Sequence, residues 1–331
     1  MKKNISFWKN KMILVTGGTG SFGKKFIKIL LKEYSIKRLV VYSRDELKQE
    51  EMRTIYGFQD KRLRFFIGDV RDKNRLDRAL VNIDIVVHAA ALKQVPACEY
   101  NPIEAIRTNI NGAENIINAA IDKGIQKVLA LSTDKAVSPV NLYGATKLVA
   151  EKLFIQGNNY SNVEWTKFSC VRYGNVVGSR GSVVPLFLHQ KKNGAITITD
   201  TRMSRFWLTL EQGVRFVIRC IEQMKGGEIF VPKIPSMKIY DLAKAIAPKS
   251  KIKIIGIRPG EKLYETLISE NEAPNTYEFN DMYIIKPTSL FKEPKNSLWP
   301  KKRIMKLERY DSSLNKKWLT AKQLMKMIEQ V

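Results

Sequence analysis

Histidine and cysteine are scarce in this sequence, with two and three residues respectively in a chain of 331. The cysteines, Cys98, Cys170 and Cys220, lie far apart and form no Cys-x-x-Cys pair, which excludes a zinc cluster, a disulfide framework and a redox dithiol. Two histidines also exclude a histidine-rich metal site, so we expect no bound metal. The chemistry of this chain must therefore use other acids and bases.

Long hydrophobic runs are missing as well. No apolar run approaches the roughly 18–20 residues that a membrane span needs, and the opening MKKNISFWKNK contains no apolar segment typical of a secretion signal. Hydrophobic residues still make up 44% of the chain, which is enough for a sizeable core. We therefore expect a cytoplasmic protein without a membrane partner, built as one large α/β unit or two coupled domains.

Acidic residues are outnumbered, with 32 Asp and Glu against 57 Lys and Arg, which gives a formal net charge of +25. Residues 1–11 hold four lysines and no acid, and residues 286–331 hold twelve basic and four acidic residues. Such a surplus suits nucleic acid, anionic membranes or acidic ligands. Short clusters such as Lys301-Lys302-Arg303 lack interleaved aromatic residues. We interpret most of the surplus as solvated surface and expect no nucleic-acid partner; a basic scaffold or nucleic-acid-binding protein is the alternative.

Short apolar runs alternate with helical patterns, which is the rhythm of a parallel sheet covered on both faces. This rhythm predicts a doubly wound α/β fold of the Rossmann type. The predicted strands are Met12–Thr16, Leu39–Tyr42, Leu63–Ile67, Ile85–His88, Val128–Leu131 and Phe168–Arg172. The predicted helices are Phe22–Glu33, Ile103–Lys123, Tyr143–Gly157 and a short closing helix at Thr320–Ile328.

The regular rhythm ends near residue 176. Residues 1–175 are predicted to form a dinucleotide-binding domain, completed by a segment near residues 206–233. Residues 176–331, which are punctuated by Gly and Pro, are predicted to form mainly a smaller α/β substrate-binding domain. Within them, Pro287–Pro300 is predicted to be a loop.

A glycine-rich segment, TGGTGSFG, follows the first strand and opens the first helix. Its glycines at 17, 20 and 23 have the spacing of a dinucleotide site: one makes the tight turn, one allows close approach of the pyrophosphate, and one lets the helix pack on the sheet. The helix N-terminus offers free N–H groups and a positive dipole end to the phosphates. The predicted cofactor contacts here are Gly17, Thr19, Gly20, Ser21, Phe22 and Gly23.

The residues after the second strand bear on the choice of cofactor. The Ser43 hydroxyl and the charges of Arg44 and Lys48 suit a ribose 2′-phosphate, which favours NADP. Asp45 or Glu46 can instead face the free 2′-hydroxyl of NAD, and this alternative stays open. Arg44 can also form a surface ion pair with these acids.

Tyr143 and Lys147 are four residues apart on one face of a predicted helix. We expect the ammonium group of Lys147 to lower the pKa of Tyr143 from its reference value of about 10, so that the phenol can act as a base. The same lysine can hold the nicotinamide ribose. Together with the glycine-rich segment and the preceding Ser132-Thr133, this pair resembles the extended short-chain dehydrogenase/reductase family.

Within that family the segment LSTDKA, residues 131–136, is diagnostic. Retaining sugar-nucleotide 4,6-dehydratases carry Ser-Thr-Asp-Glu here, whereas Asp134-Lys135 is similar to the inverting UDP-N-acetylglucosamine 4,6-dehydratases. Segments such as YSRDELKQ, HAAALKQVP and GIRPGEK extend this resemblance from about residue 11 to 290. Gln94 and Tyr264 depart from it, because histidine is expected at both positions.

The resemblance implies an NADP-dependent inverting 4,6-dehydratase acting on UDP-N-acetylglucosamine, and a homo-oligomer, either a dimer or a hexamer. It also implies a place in pseudaminic acid synthesis for flagellin glycosylation. A UDP-sugar 4-epimerase or a retaining 4,6-dehydratase is the alternative within the same class of enzymes.

We assign catalytic roles to five residues. Tyr143 takes the proton of the sugar C4 hydroxyl while Thr133 holds the oxygen, and Lys147 supports Tyr143. Asp134 protonates the departing C6 hydroxyl, and Lys135 removes the C5 proton. These roles require Asp134 to carry a proton and Lys135 to be neutral in part of the population. The alternative for Asp134-Lys135 is a local surface ion pair.

The remaining predicted contacts lie at strand ends and in the second domain. The further cofactor contacts are Asp69, Val70, Ala89, Ala91, Lys93, Asn109 and Ser132, with Tyr143 and Lys147. The substrate contacts that the resemblance implies are Lys93, Tyr143, Asn175, Val183, Thr197, Met203, Arg205, Arg258 and Glu261, with the loop Gly178–Val184. The arginines suit a diphosphate, although Arg205 can also be structural. His88 is predicted to be structural, and His189 an exposed helix residue.

Overall fold

The computed structural model describes residues 4–55, 58–161, 165–178, 182–287 and 303–329. The strands are β1 (Met12–Thr16), β2 (Arg38–Ser43), β3 (Leu63–Ile67), β4 (Ile85–His88), β5 (Lys127–Leu131), β6 (Lys167–Val171), β7 (Asn175–Val176), β8 (Ala195–Ile198), β9 (Ser204–Leu208), β10 (Ile229–Pro232), β11 (Ser236–Lys238), β12 (Lys251–Ile254), β13 (Thr266–Ile268), β14 (Thr276–Glu278), β15 (Met282–Ile285), β16 (Arg303–Ile304) and β17 (Tyr310–Asp311).

Helices cover both faces of the main sheet and part of the second region. The α-helices are α1 (Ile5–Trp8), α2 (Ser21–Glu33), α3 (Glu46–Thr54), α4 (Lys73–Ala79), α5 (Val95–Tyr100), α6 (Pro102–Ile106), α7 (Gly112–Asp122), α8 (Leu142–Tyr160), α9 (Val183–Lys191), α10 (Leu210–Gln223), α11 (Ile239–Ile246) and α12 (Ala321–Ile328). Short 3₁₀ turns occupy Asp134–Ala136 and Ala273–Asn275, and a π-helical turn occupies Arg107–Asn111.

The main sheet has ten strands in the order β16-β14-β15-β10-β6-β5-β4-β1-β2-β3. The strands from β3 to β10 in this order are parallel, and β15, β14 and β16 extend the sheet with antiparallel pairs. β1, β4 and β6 are buried almost throughout, as expected for parallel strands covered on both faces. The doubly wound parallel fold predicted from the sequence is thereby confirmed.

The six predicted strands are all present, with ends that differ by at most one residue. The helix predicted at Ile103–Lys123 is instead interrupted by the π-helical turn between α6 and α7. This turn points Asn109 at the loop after β4, where its side chain bonds the backbone N–H and carbonyl of Leu92. The extra residue that a π turn inserts is a local device of the kind often found near functional sites.

The second region contains three small sheets, β11-β9-β7, β12-β8 and β13-β17. A separate apolar cluster, which includes Phe187, Trp207 and Leu242, forms its core. The predicted closing helix is confirmed as α12, which begins with a capping box between Thr320 and Gln323. Most of the predicted loop Pro287–Pro300 and the centre of the loop Gly178–Val184 lie outside the described residues. No helix in the described ranges is both long and apolar enough to cross a bilayer.

Candidate active site

A cavity of about 1310 Å³ opens at the carboxyl ends of the parallel strands, where β1 lies between β2 and β4. This point, at which the strand order reverses, is where open α/β sheets bind ligands. Segments of the second region, including Asn175, Thr197 and Arg258, form the opposite wall. The volume exceeds the roughly 300–1,000 Å³ of a pocket for one drug-sized ligand, so two ligands fit side by side.

The glycine-rich loop is shaped for a close backbone approach. Gly17 has a φ of +64°, and a Cβ there would lie 2.9 Å from the Ala90 nitrogen, so only glycine fits. A Cβ at Gly23 would lie 2.3 Å from the Gly18 carbonyl oxygen, so the third glycine allows the first turn of α2 to pack closely against the loop that follows β1. Gly23 itself does not line the cavity.

The cavity also presents polar atoms that lack protein partners. The hydroxyl oxygens of Thr108 and Ser132 are buried and without a hydrogen-bond partner among the described residues, and both residues line the cavity. Buried hydroxyl groups are normally bonded, so these two fit a ligand that carries hydrogen-bonding groups. Together with the glycine loop at the start of α2, they fit a dinucleotide cofactor.

The polar side chains that follow β2 form hydrogen bonds and ion pairs with neighbouring residues. Thr19 and Ser43 share a hydroxyl–hydroxyl hydrogen bond of 3.0 Å, and Lys48 pairs with Asp45, the N-cap of α3. Arg44 lies 3.5 Å from Asp69 and is more than half exposed, so its guanidinium can turn towards a phosphate. In place of the alternative surface ion pair with Asp45 or Glu46, Arg44 makes this contact with Asp69.

Asn109 and His88 are hydrogen-bonded mainly to other protein groups. Asn109, besides its bonds to Leu92, donates to Thr146 Oγ1 at 3.0 Å and does not line the cavity, so it orders the loop that does. His88 Nδ1 lies 2.9 Å from Thr16 Oγ1. Burial, aided by the charge of Lys147, lowers the pKa of His88 to about 3, so this histidine is neutral and structural, as predicted. His189 is an exposed helix residue, also as predicted.

The predicted catalytic residues meet where α8 passes the 3₁₀ turn that follows β5. A Cβ at Gly144 would lie 2.2 Å from the Lys135 carbonyl oxygen, so glycine after Tyr143 allows this close crossing. Thr133 is the N-cap of the turn and accepts from the Lys135 backbone N–H at 3.3 Å. The local sequence thus brings the phenol, the hydroxyl and the Asp134-Lys135 pair to one place.

These side chains form a continuous network. Thr133 Oγ1 donates to Asp134 Oδ1 at 2.8 Å and also bonds the Tyr143 phenol. Lys135 Nζ lies 3.1 Å from Asp134 Oδ1 and 3.2 Å from Glu265 Oε1. Asp134 is almost fully buried, whereas the alternative of a surface ion pair requires two solvated charges. The Asp134-Lys135 pair is therefore part of the cavity wall.

The expected effect of Lys147 on Tyr143 is not found in this structure. Burial raises the pKa of Tyr143 to about 12 and outweighs the opposing charge of Lys135. Lys147 Nζ donates to the Leu131 carbonyl oxygen at 2.7 Å, and burial lowers the pKa of Lys147. The phenol is therefore protonated here, and a further positive charge is required to make it a base at neutral pH.

Lys135 experiences two opposing effects. Burial disfavours its charged form, but the carboxylates of Asp134 and Glu265 outweigh burial and raise the pKa of Lys135 above its usual value. Lys135 is therefore an ammonium ion in this state. Glu265 is the residue that the sequence did not predict: it directly precedes β13, 130 positions after Lys135, and follows no local pattern that would single it out.

Among the residues predicted to bind the substrate, some present polar atoms to the cavity and others are already hydrogen-bonded to the protein. Asn175 Oδ1 is buried without a partner among the described residues, and Arg258 is exposed at the cavity. Arg205, in contrast, donates to the carbonyl oxygens of Ser204, Leu263 and Lys262. These bonds favour the structural interpretation of Arg205.

Of the individually predicted site residues, all but Gly23 and Asn109 line this cavity; the described part of the predicted loop Gly178–Val184 contributes Ser182 and Val183. The predicted residues that do so are Gly17, Thr19, Gly20, Ser21, Phe22, Ser43, Arg44, Lys48, Asp69, Val70, Ala89, Ala91, Lys93, Ser132, Thr133, Asp134, Lys135, Tyr143, Lys147, Asn175, Val183, Thr197, Met203, Arg205, Arg258 and Glu261. In the described ranges no group of three or more His, Cys, Asp or Glu side chains is placed to hold a metal ion.

A doubly wound sheet with a glycine-rich βα turn, and a tyrosine and lysine four residues apart beside a threonine, define an extended short-chain dehydrogenase/reductase. Comparison with known proteins narrows this class. The family described as polysaccharide biosynthesis protein matches residues 13–287, and the chain belongs to this family.

Individual relatives cover most of the chain. A Campylobacter jejuni subsp. jejuni protein named UDP-N-acetylglucosamine 4,6-dehydratase (inverting) is 52% identical over 329 residues, 97% of this chain and 98% of that protein. A UDP-glucose 4-epimerase from Rickettsia canadensis is 45% identical over 284 residues, 83% of each chain. The X-ray structure of Pen from Bacillus thuringiensis is 39% identical, with a TM-score of 0.88 and 98% coverage of both chains.

Proposed function

We propose that this enzyme is an NADP-dependent inverting 4,6-dehydratase that converts UDP-N-acetylglucosamine to UDP-2-acetamido-2,6-dideoxy-β-L-arabino-hex-4-ulose. The observation that carries the proposal is the buried contact between Asp134 and Lys135 beside Tyr143. An elimination across C5 and C6 needs a base and an acid close together, in addition to the tyrosine that oxidation at C4 needs. The similarity to the Campylobacter dehydratase over nearly the whole chain supports the same reaction.

The chain's own groups can perform the proton transfers in order. Tyr143 takes the proton of the C4 hydroxyl, and Thr133 holds the C4 oxygen. The resulting ketone acidifies the C5–H bond, Lys135 in its neutral form takes that proton, and the C6–O bond breaks as Asp134 gives a proton to the departing hydroxyl. A proton from solvent returns to C5 on the opposite face and inverts this centre, and the net change is loss of one water.

A nicotinamide cofactor held in this cavity would supply hydride transfer from C4 and back to C6, and so would not be consumed. The residues that would hold it are those of the glycine loop and its neighbours: Gly17, Gly20 and Ser132, with Lys147 for the nicotinamide ribose. Burial raises the pKa of the Tyr143 phenol to about 12 although the charge of Lys135 opposes it, and an oxidised nicotinamide would add a second positive charge that favours the phenolate. Arg44, which is exposed and contacts Asp69, supports NADP over NAD.

The proposal extends to the setting of the enzyme. The three cysteines in the chain are free and buried, which fits a reducing compartment such as the cytoplasm. Exposed apolar side chains on α5, α6 and α8, namely Tyr100, Ile103 and Val149, fit a homo-oligomer. The product fits a first step of pseudaminic acid synthesis for flagellin glycosylation, which is the pathway implied by the resemblance. Light scattering on the purified chain measures the oligomeric state.

The proposed activity is tested with purified protein, UDP-N-acetylglucosamine and a catalytic amount of NADP. Mass spectrometry is expected to show a product lighter by one water, without stoichiometric use of cofactor. Lys135→Met and Asp134→Asn remove the base and the acid, and each is expected to abolish this product. Lys253→Met, an exposed lysine of β12, is the control and is expected to behave as the wild type.

The second candidate is a UDP-sugar 4-epimerase, which the 45% identity to the Rickettsia epimerase favours. Epimerisation needs only Tyr143, Thr133 and the cofactor, and it leaves the mass of the sugar unchanged. An isomeric product of unchanged mass, formed equally by the wild type and by Lys135→Met, would establish the epimerase and contradict the dehydratase.

A further inference from the structure

Glu265 reaches the predicted catalytic residues from the second region of the chain. Its Oε1 atom lies 3.2 Å from Lys135 Nζ, while Asp134 Oδ1 lies 3.1 Å from the same nitrogen. Both carboxylate side chains are almost fully buried, whereas the Lys135 side chain is 28% exposed towards the cavity. The ammonium group is thus held between two carboxylates, of which only Asp134 is its neighbour in sequence.

The position of Glu265 is fixed by the protein. Its backbone N–H donates to Ser312 Oγ at 3.0 Å, and its carbonyl oxygen accepts from the Ser312 N–H at 2.8 Å, next to the pairing of β13 with β17. Arg205 Nε lies 3.6 Å from Glu265 Oε1, and the same guanidinium bonds the carbonyl oxygens of Lys262 and Leu263. Hydrogen bonds on both sides therefore fix the segment before β13, and protein groups alone hold Glu265 in position.

One carboxylate oxygen of Asp134 and one of Glu265 have no hydrogen-bond partner among the described residues. Asp134 Oδ1 accepts from Thr133 and contacts Lys135, but Asp134 Oδ2 and Glu265 Oε2 are buried and have no hydrogen-bond partner in the described part of the chain. Both residues line the cavity. An unpartnered buried carboxylate oxygen is costly, and it is satisfied here once a donor group enters the cavity.

We infer that Glu265 is a positioning residue for Lys135: its carboxylate holds the ammonium group beside Asp134 and opposes the loss of its proton. The inference rests on the proposed function, in which neutral Lys135 removes the C5 proton. Lys135 must first pass its own proton to the adjacent Asp134 carboxylate. A new N–H bond can then form as the C5–H bond breaks, and Asp134 holds the proton that leaves with the C6 hydroxyl. Glu265 stays a carboxylate throughout and acts through its contact with Lys135.

Several charged groups face Lys135, and their balance gives the sign of the expected effect. Asp134, Glu265 and Tyr143 favour the ammonium form, while burial and the charge of Arg205 oppose it; Lys262, which bonds the Val137 carbonyl oxygen, adds a further positive charge nearby. Neutralising Glu265 leaves Asp134 as the one carboxylate within 4 Å of Lys135 Nζ among the described residues. The pKa of Lys135 then falls, because burial and the nearby cations are less well compensated.

The experiment compares full-length wild type with Glu265→Gln and Glu265→Asp. Trace acetylation of the Lys135 amine across pH, read by mass spectrometry of its peptide, gives the midpoint of its deprotonation without any substrate. Glu265→Gln is expected to lower this midpoint by about 1 pH unit or more. Glu265→Asp keeps the charge but withdraws it by one methylene, so its midpoint is expected to lie between those of wild type and Glu265→Gln. This variant provides the test if Glu265→Gln does not fold.

Glu272→Gln is the matched control, since Glu272 is a carboxylate that pairs with a buried arginine, Arg172, away from the cavity. It is expected to lower stability and to leave the Lys135 midpoint unchanged.

An unchanged midpoint in both Glu265 variants, or an equal shift in Glu272→Gln, would overturn the inference. The labelling does not depend on the identity of the substrate. Failure of the wild type to dehydrate UDP-N-acetylglucosamine would therefore contradict the proposed function, while the midpoint still decides whether Glu265 controls Lys135.

Discussion

Lys147 Nζ lies 2.7 Å from the backbone carbonyl oxygen of Leu131, the last residue of β5. This bond ties α8 to the end of the strand, one helical turn after Tyr143. The buried lysine is thereby in place before a ligand binds, and Tyr143 is held beside Thr133. The positions of Lys147 and Tyr143 both depend on this contact between α8 and the end of β5.

Lys147→Met keeps the aliphatic stem and removes the ammonium group. We expect cofactor affinity to fall about 10- to 100-fold, because a hydrogen bond to a charged group contributes roughly 1.5–3 kcal/mol. Fluorescence titration of the cofactor measures the change. Lys127→Met is the matched control, since Lys127 also donates to a backbone carbonyl, that of Ile221, but lies outside the cavity. Equal losses in both variants would contradict a direct role for Lys147.

Tyr143→Phe removes the proposed base and keeps the ring. We expect kcat to fall about 10²- to 10⁴-fold, the usual contribution of general acid–base catalysis, with little change in the unfolding temperature. Tyr310→Phe provides the contrast. The Tyr310 hydroxyl donates to the Ile234 carbonyl oxygen and accepts from the Ile234 N–H, so its loss is expected to lower stability and leave kcat unchanged. A Tyr143→Phe variant of normal kcat would contradict the assignment.

Arg44→Ala tests the choice of cofactor. Its guanidinium is the exposed cation at the end of β2, so its removal is expected to weaken NADP binding about tenfold or more and to leave NAD binding nearly unchanged. Calorimetric titration of both cofactors measures this ratio. Arg53→Ala, at the far end of α3, is the control and is expected to change neither affinity. A wild type that binds NAD more tightly than NADP would refute the preference at the outset.

Glu272 gives a pH-dependent prediction for stability. Burial disfavours its charge, but Arg172 outweighs burial and lowers the pKa of Glu272 to about 2 from 4.5. A carboxylate whose folded pKa is depressed stabilises the fold above its unfolded pKa and loses this contribution as pH falls through the folded value. The difference in unfolding free energy between wild type and Glu272→Gln is therefore expected to be constant near neutrality and to shrink between about pH 4.5 and 2. Urea titrations at several pH values measure it; a difference that grows on acidification would contradict this ion pair.

Much of the fold was predictable, because its signals are local. The alternation of buried strands and helices identified β1 to β6, six of the seven strands of the parallel part of the sheet, and the glycine spacing identified the turn after β1. The antiparallel extension through β15, β14 and β16 was not predicted, since its short strands come from a region without regular rhythm. The π-helical turn at Arg107–Asn111 was also missed, because a helical hydrophobic pattern continues through it.

The same contrast, between residues marked by local sequence patterns and residues that are not, applies to the site. Thr133, Asp134, Lys135 and Tyr143 were recognisable because they lie within eleven consecutive residues that carry a familiar pattern. Glu265 was not, because it meets Lys135 only through the pairing of β13 with β17 and the turn held by Arg205. Chain folding also decides how a group behaves: burial makes the Tyr143 phenol a weaker acid than its spacing from Lys147 suggests.

The central claim is tested most directly by the product formed from UDP-N-acetylglucosamine in D₂O. We predict a 4-keto-6-deoxy sugar that has lost one water and carries deuterium at C5, with the L-arabino configuration in its NMR coupling constants. A product of unchanged mass, or a dehydrated product that keeps the original configuration at C5, would contradict the account.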